Sequence, residues 1–277
     1  MRVEVARYAG ICYGVERALK LAEEAAESGA QVHTLGPLIH NPQAVAALRD
    51  QGVAVASTLA DAPEGTLVIR SHGVAPAIID AARAKGLDVI DATCPHVSKA
   101  HEAAEELKRG GYTVVIVGEA DHPEVEGIMA HAGGDVLVVS AASELPERLP
   151  SRRVGVVVQT TQSLSRLNEV VEAIMQRASE VRVFNTICSA TGKRQRSAEE
   201  LAENVDVMVV VGGHNSGNTT RLAEICLSVN PRVHHVETAD ELDPAWFTGA
   251  ASVGVTAGAS TPDQQMQGVI RAIEAME

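Results

Sequence analysis

The chain lacks the closely spaced cysteine pairs that hold metals in small domains. Its four cysteines stand at positions 12, 94, 188 and 226 of 277 residues, and no two of them form a CxxC pair. This excludes the usual zinc-ribbon and ferredoxin spacings, and so few cysteines in so long a chain do not predict a disulfide scaffold. If the cysteines act together, the fold must gather them from distant segments.

The chain also lacks a long apolar run and a basic charge balance. No run approaches the length that spans a membrane, and the N-terminus MRVEVARYAGICYG has neither the apolar core nor the cleavage site of a signal peptide. A formal net charge of −13 argues against a nucleic-acid-binding surface. We therefore predict a soluble cytoplasmic protein with no membrane or nucleic-acid partner. An anionic ligand is still compatible with this charge, because a pocket can be locally positive.

Short β-branched runs alternate with helical patterns such as VSKAHEAAEELKRG along the whole chain. This alternation predicts an α/β fold with mostly parallel sheets. The runs are RVEVAR, TLVIRS, DVIDAT, YTVVIVG, VGVVVQT, VRVFNT, VDVMVVVG and SVGVTAG.

Three of the cysteines mark an internal repeat. Cys12, Cys94 and Cys188 are separated by 82 and 94 residues, and each follows a strand-like run and opens a helical pattern. A basic residue stands five places after each cysteine; these residues are Arg17, Lys99 and Lys193. They either neutralise a bound group or lie on solvated helix faces. Cys226, in RLAEICLS, has no counterpart and is predicted to pack in the core.

Each repeat also contributes two polar loops that follow strands. The loops are LIHNPQAV with His40, IRSHGVAP with His72, EADHPEVEG with His122, VVQTTQSL with Thr160, GGHNSGNTTRL with Asn215 and Ser216, and VTAGASTPD with Ser260. The remaining histidines fit no repeat, and most are interpreted as surface or helix residues: His96, His101, His131, His214, His234 and His235.

The repeat predicts three pseudo-threefold-related α/β lobes, spanning residues 13–93, 94–187 and 188–277. The third lobe ends in a helix with no strand after it, so residues 1–12 are predicted to supply the missing strand. This would close the chain into a ring with the three cysteines at its centre.

Three thiolates at the ends of parallel strands suit a metal, because α/β proteins bind ligands at those loops. A [4Fe-4S] cluster fits best, since three cysteines leave one open iron that can act as a Lewis acid. A zinc site with three protein ligands is the alternative.

The polar loops are rich in groups that bind phosphate, although the same residue types also mark plain turns and helix caps. Among them, Glu124 lies two residues from His122 and is the candidate general acid. The alternative for Glu124 is a solvated loop glutamate. Glu126 is predicted to face outward.

Eight segments, in this order, resemble the 4-hydroxy-3-methylbut-2-enyl diphosphate reductase family, also called IspH or LytB, over nearly the whole chain. The segments are AGICYGVERAL, LIHNPQAV, RSHGV, DATCPHVSKAH, DHPEVEG, QTTQS, NSGNTTRL and TAGASTPD. The resemblance implies three lobes around a 4Fe–4S cluster. It also implies an oxidoreductase of the methylerythritol phosphate route to isoprenoids, which converts an allylic alcohol diphosphate to isopentenyl and dimethylallyl diphosphates.

The resemblance further implies roles for individual residues. Cys12, Cys94 and Cys188 would ligate the cluster; Glu124, Thr160 and His122 would be catalytic. The diphosphate would be bound by His40, His72, His122, Ser216, Gly217, Asn218 and Ser260. Gly217 stands where some members carry a second serine, so a backbone N–H would replace that hydroxyl. An external donor such as a ferredoxin or flavodoxin would supply electrons.

Three other functions compete with this interpretation. The first is a paralogous reductase of another small phosphorylated substrate. The second is a non-catalytic iron–sulfur electron carrier or sensor, which has little use for an acid and several phosphate donors. The third is a zinc hydrolase, which metal analysis distinguishes.

Overall fold

The computed structural model describes residues 1–276 and confirms the α/β fold class. Within this part of the chain there are twelve strands, all paired in parallel, and nine α-helices. The strands are β1 (Arg2–Val5), β2 (Val32–Leu35), β3 (Val53–Ala56), β4 (Thr66–Ile69), β5 (Asp88–Asp91), β6 (Thr113–Val117), β7 (Val136–Val139), β8 (Arg153–Val158), β9 (Glu180–Phe184), β10 (Val207–Val211), β11 (Val233–Val236) and β12 (Ser252–Ala257). The helices are α1 (Tyr13–Glu27), α2 (Pro42–Asp50), α3 (Pro76–Ala84), α4 (Pro95–Arg109), α5 (Pro123–Ala132), α6 (Leu164–Met175), α7 (Ser189–Ala202), α8 (Gly217–Val229) and α9 (Asp263–Glu274).

The three sheets share one strand order. The first runs β3-β2-β4-β5, the second β7-β6-β8-β9, and the third β11-β10-β12-β1. Strands β2, β6 and β10 each lie between the two strands that follow them along the chain. The fourth position belongs to β5, β9 and β1 respectively, so the predicted repeat is visible in the topology itself.

The first strand of the chain pairs with the last. Arg2 lies opposite Ser252 and Val5 opposite Val255, in parallel register. Strand β1 therefore stands where β5 and β9 stand in the other sheets.

By packing, the chain divides into two compact units. One comprises Met1–Glu16, Ile39–Ala46 and Ser189–Glu277 and contains the third sheet. The other comprises Arg17–Leu38 and Ala47–Cys188 and contains the first and second sheets. The three-lobe division at 13–93, 94–187 and 188–277 stays a prediction.

The central strands are covered on both faces, as continuous β-branched runs predict. Every residue of β10 is buried, and so is every residue of β12. Strands β3, β7 and β11 were not predicted from the sequence; each has four residues and lies at the outer edge of its sheet. Of the helices among residues 1–276, none is both long and apolar enough to cross a membrane.

Candidate functional site

Glu124 lies in the first turn of α5 and is only 2% exposed. One residue satisfies both of its carboxyl oxygens. The Thr160 backbone N–H donates to Oε1 at 2.6 Å, and the Thr160 hydroxyl donates to Oε2 at 2.8 Å. The carboxyl group is therefore buried and held in a fixed orientation, which rules out a solvated loop glutamate.

Burial raises the pKa of Glu124 to about 7. The nearby charge of Glu119 raises this pKa further, whereas the two hydrogen bonds from Thr160 act in the opposite direction. Desolvation dominates because a charged carboxylate loses most of its hydration in a buried site. A carboxyl group with such a pKa can hold a proton near neutral pH, as a general acid requires.

Thr160 follows β8 and forms hydrogen bonds both with Glu124 and with the segment that carries Cys188. Its carbonyl oxygen accepts a hydrogen bond from the backbone N–H of Cys188 at 3.0 Å. The same residue thus orients Glu124 through its N–H and hydroxyl and Cys188 through its carbonyl oxygen. The predicted catalytic role of Thr160 stays a prediction.

Two glutamines beside Thr160 hold the loop that precedes α5, and the sequence analysis missed both. Gln159 is fully buried and accepts a hydrogen bond from the Glu119 backbone N–H at 3.0 Å. Gln162 donates through Nε2 to the Glu119 carboxylate at 2.9 Å. The available signal was polar residues continuing directly after the buried strand, in QTTQ.

His122 caps the N-terminus of α5. Its Nδ1 accepts a hydrogen bond from the Glu124 backbone N–H at 3.1 Å, so the ring proton of the neutral form resides on Nε2. The His72 ring lies edge-on to the His122 ring, with centroids 5.6 Å apart. The fold thus brings together two histidines that the sequence placed on separate polar loops.

The three repeat-marking cysteines stand where helices begin. Cys94 is the N-cap residue of α4, and its N–H donates to the Ser71 carbonyl oxygen at 3.0 Å. Cys188 directly precedes α7, and Cys12 precedes α1 with its N–H donating to the Ala259 carbonyl oxygen at 3.0 Å. All three are half-buried, and none forms a disulfide.

Cys226 differs from these three cysteines in its burial and in its position in the interior of a helix. It is fully buried in α8, and its thiol donates to the Ala198 carbonyl oxygen at 3.7 Å. Burial raises the pKa of its thiol to about 12, so it stays protonated and unreactive. The predicted core role of Cys226 is confirmed.

In the unit with the third sheet, Ser216 and Asn218 stand at the N-terminus of α8. The Ser216 hydroxyl caps the helix by accepting from the Thr219 N–H at 3.4 Å. Asn218 is 5% exposed, yet within residues 1–276 neither its amide nitrogen nor its amide oxygen has a hydrogen-bond partner. A buried amide without partners is costly and suggests a ligand. Gly217 between them is the first residue of α8 and adds a backbone N–H at the positive end of the helix dipole.

Ser260 and His40 are joined directly. The Ser260 hydroxyl donates to the His40 carbonyl oxygen at 2.9 Å. The next residue, Asn41, is completely buried: its side chain caps α2 through Ala44 N–H and donates to Gln265 at 2.9 Å. Asn41 was missed from sequence, where it reads as an ordinary turn residue.

His101 was interpreted as a surface or helix residue; it does lie on α4, and its side chain is buried there. Its ring stacks on His131 with centroids 4.1 Å apart, and burial lowers its pKa to about 4. A Cβ on Gly73 would lie 2.6 Å from the His101 ring, and one on Gly127 would lie 2.9 Å from it. Both glycines therefore permit close packing around a neutral imidazole.

Of the predicted basic triplet, Arg17 has a structural role. Its guanidinium donates to the carbonyl oxygens of Thr93 and Asp91, immediately before Cys94, at 3.2 and 3.3 Å. As predicted, Glu126 is exposed; it pairs with Arg70 at 3.4 Å.

The donor set fits an iron–sulfur cluster. Cys12, Cys94 and Cys188 form no disulfide, are partly accessible and are located where helices begin. Soft thiolate ligands select iron–sulfur clusters over hard cations.

Comparison with known proteins gives one consistent result. The family model described as LytB protein matches residues 3–274. A relative from Geotalea uraniireducens is 49% identical over 274 residues, covering 99% of this chain and 97% of its own. A relative from Pelobacter propionicus is 53% identical over 262 residues, covering 95% of this chain and 94% of its own. Both are named 4-hydroxy-3-methylbut-2-enyl diphosphate reductase.

Two solved structures are similar to the fold. One is an (E)-4-hydroxy-3-methyl-but-2-enyl diphosphate reductase, described as the terminal enzyme of the non-mevalonate pathway. It is 48% identical with a TM-score of 0.73 and covers 99% of this chain and 100% of its own. The other is the E-1-hydroxy-2-methyl-but-2-enyl-4-diphosphate reductase from Plasmodium falciparum, 25% identical with a TM-score of 0.93, covering 98% of this chain and 87% of its own.

Proposed function

The chain belongs to the LytB protein family, and on that premise we propose that it reduces (E)-4-hydroxy-3-methylbut-2-enyl diphosphate in the cytoplasm. Two electrons and two protons remove the hydroxyl group as water, giving isopentenyl or dimethylallyl diphosphate. The single observation that supports this most is the buried Glu124 carboxyl, fixed by Thr160 and able to carry a proton near neutral pH.

Cys12, Cys94 and Cys188 are the residues that would hold the iron–sulfur cluster. In this proposal it is a 4Fe–4S cluster with three cysteine ligands and one open iron. When bound, it supplies electrons and Lewis-acid chemistry. The proposal requires the predicted gathering of the three lobes around one centre, which stays a prediction.

Glu124 is the proposed proton donor. Departure of a hydroxyl group as water needs a proton at its oxygen, and a protonated carboxyl with a pKa of about 7 can deliver one at cellular pH. The N–H and hydroxyl of Thr160 hold the two carboxyl oxygens, so little reorganisation is needed when the proton leaves.

The diphosphate would be held by seven residues whose donors are imidazole N–H, hydroxyl, amide and backbone N–H groups: His40, His72, His122, Ser216, Gly217, Asn218 and Ser260. His122 accepts at Nδ1 and so presents an Nε2–H donor. Asn218 brings a buried amide that a phosphate oxygen would satisfy. Binding energy from the diphosphate, remote from the reacting carbon, orients the alcohol.

The electron donor in this proposal is an external protein such as a ferredoxin or a flavodoxin. The non-catalytic carrier is the second candidate function. Electron transfer alone requires neither the desolvated carboxyl group of Glu124 nor hydrogen-bond donors at helix termini.

The test is anaerobic purification followed by iron, sulfide and zinc analysis, with spectra recorded before and after adding the hydroxymethylbutenyl diphosphate. We expect about four irons per chain and a spectral change with substrate, then turnover with a chemical reductant. Iron without any response to the diphosphate would favour the paralogue or the carrier. Zinc alone, persisting after anaerobic reconstitution, would overturn the proposal.

A further inference from the structure

A basic and aromatic patch lies beside the loop that leads from β1 to Cys12. The exposed Tyr8 ring is flanked by two cations: the Arg7 guanidinium carbon lies 5.4 Å and the Lys193 Nζ 5.8 Å from its centroid. Arg196 is exposed and stands three residues after Lys193 on α7, hence on the same helix face. We call Arg7, Tyr8, Lys193 and Arg196 the basic patch.

The patch is fixed to the segment that carries Cys12. The Tyr8 backbone N–H donates to the Ser197 hydroxyl on α7 at 3.2 Å. Arg194, buried beneath the patch, donates from Nη2 to the Gly10 carbonyl oxygen at 2.6 Å. Helix α7 therefore packs on the loop two residues before Cys12, and the patch lies a few residues from this partly accessible thiol.

The charge of the patch is not neutralised by the protein. Within residues 1–276, no carboxylate forms an ion pair with Arg7, Lys193 or Arg196. The first eight residues of α7, SATGKRQR, contain three basic residues and no acidic one, in a chain with a formal net charge of −13. One of the chain's three tyrosines is exposed in the middle of these cations. Arginine and tyrosine are enriched at protein interfaces.

We propose that the basic patch docks an acidic protein that carries one electron at a time. This rests on the proposed function, in which R–OH + 2 e⁻ + 2 H⁺ gives R–H + H₂O. Two reduced carrier molecules each lose one electron in successive encounters, and the protons come from Glu124 and solvent. A partner that must bind, leave and return needs fast electrostatic association rather than a large apolar interface.

An acidic protein fits this surface better than a nucleic acid. The patch contains three exposed cations on a strongly acidic protein, whereas nucleic-acid binding requires a basic stripe long enough to follow many phosphates. A protein carrier also explains the location, because electrons must enter beside a residue that would hold the cluster.

The experiment compares Arg7→Glu/Lys193→Glu with a matched control, Arg109→Glu/Arg148→Glu, which makes the same charge change at exposed arginines in the other unit. Binding of an acidic ferredoxin and, separately, of a flavodoxin to each cluster-loaded protein is measured at about 50 and about 300 mM salt. Turnover is measured with each carrier and with reduced methyl viologen.

We expect the patch variant to bind its carrier about tenfold or more weakly at low salt, with a flatter salt dependence, while the control stays near wild type. Turnover with viologen stays unchanged, and turnover with the protein carrier falls. Arg7→Gln/Lys193→Gln, a milder change, should give an intermediate loss and replaces the first variant if that one fails to load its cluster.

Equal binding by patch variant and wild type for both carriers would overturn the proposal, as would failure of both carriers to bind the wild type. Loss of viologen turnover in the patch variant would also overturn it, because the defect would then lie in the reaction. Absence of viologen turnover in the wild type contradicts the proposed function instead, and the binding comparison still tests the patch.

Discussion

Two regions of the molecule, which we call the acid site and the anion site, satisfy their buried polar groups in opposite ways. In the acid site, Thr160 satisfies both oxygens of Glu124. In the anion site, the amide of Asn218 is equally buried and has no partner among residues 1–276. Under the proposed function, this difference means that the protein itself preorganises proton delivery, whereas the bound ligand would complete the anion site. The second arrangement costs stability, since an unsatisfied buried amide destabilises by about 1–3 kcal/mol.

The largest effect should come from a cysteine of the proposed cluster. Cys94→Ser should lose most of its iron and essentially all turnover, because the proposal makes this thiolate a cluster ligand. Cys226→Ser is the matched control and should keep its iron, since that thiol is buried with a pKa of about 12. Iron content and the visible spectrum are the measurements. Full iron in Cys94→Ser would remove this residue from the proposed ligand set.

The next effect should separate the acid site from the anion site. Glu124→Gln keeps the shape of the side chain but not the proton, so turnover should fall about 100-fold or more while KM changes by less than about threefold. Iron content should be unchanged. Glu126→Gln, at an exposed carboxylate paired with Arg70, is the control and should retain activity. Near-normal turnover of Glu124→Gln would exclude this carboxyl group as the proton donor.

The same variant should change how stability depends on pH. The folded pKa of Glu124, about 7, lies above the ordinary value of 4.5, so between these values the folded protein holds a proton that the unfolded chain has lost. Wild-type stability should therefore fall as pH rises from about 4.5 to about 7, by on the order of 3 kcal/mol from this group.

Glu124→Gln should lack this fall. Denaturant unfolding at about pH 5 and about pH 8 measures the contrast. Identical pH dependence of wild type and variant would mean that Glu124 is already ionised at acidic pH.

The smallest effect should come from a comparison of two asparagines, Asn218 and Asn230, which are buried equally. Asn218 has no partners, whereas Asn230 donates to the carbonyl oxygens of Ala202 and Val205, both at 2.9 Å. Asn218→Ala should raise KM about tenfold without loss of stability. Asn230→Ala should lower stability by about 1–3 kcal/mol with KM unchanged. Melting curves and steady-state kinetics distinguish the two. If Asn218→Ala destabilised as much as Asn230→Ala, its role would be structural.

The sequence predicted the parts of the fold that depend on local pattern. Runs such as VMVVV are buried on both faces, so β-branched composition alone identifies β10. Strand β3 was missed because its alternating valine and alanine carry a weak signal, and Val55 is 45% exposed. Edge strands face solvent on one side and need no apolar run.

For the site, the repeat predicted which loops carry functional residues, but not what supports them. The roles of Gln159 and His101 depend on Glu119, Gly73 and Gly127, which are distant in sequence. Helical periodicity predicts that His101 lies on a helix, but it does not show that another segment covers the His101 side chain. Similarly, the sequence suggested Glu124 as an acid, but only the fold shows that Thr160 holds both of its oxygens.

The pairing of β1 with β12 means that the first strand of the chain completes the sheet built by its last three strands. Helices α3 and α6 connect to β5 and β9 through three residues, 85–87, and four residues, 176–179. If residue 277 were joined directly to Met1, helix α9 would connect to β1 through four residues, 275–277 and Met1. A circular permutant of this kind therefore needs no added linker. New termini fit between Ser28 and Gln31, in the exposed turn after α1.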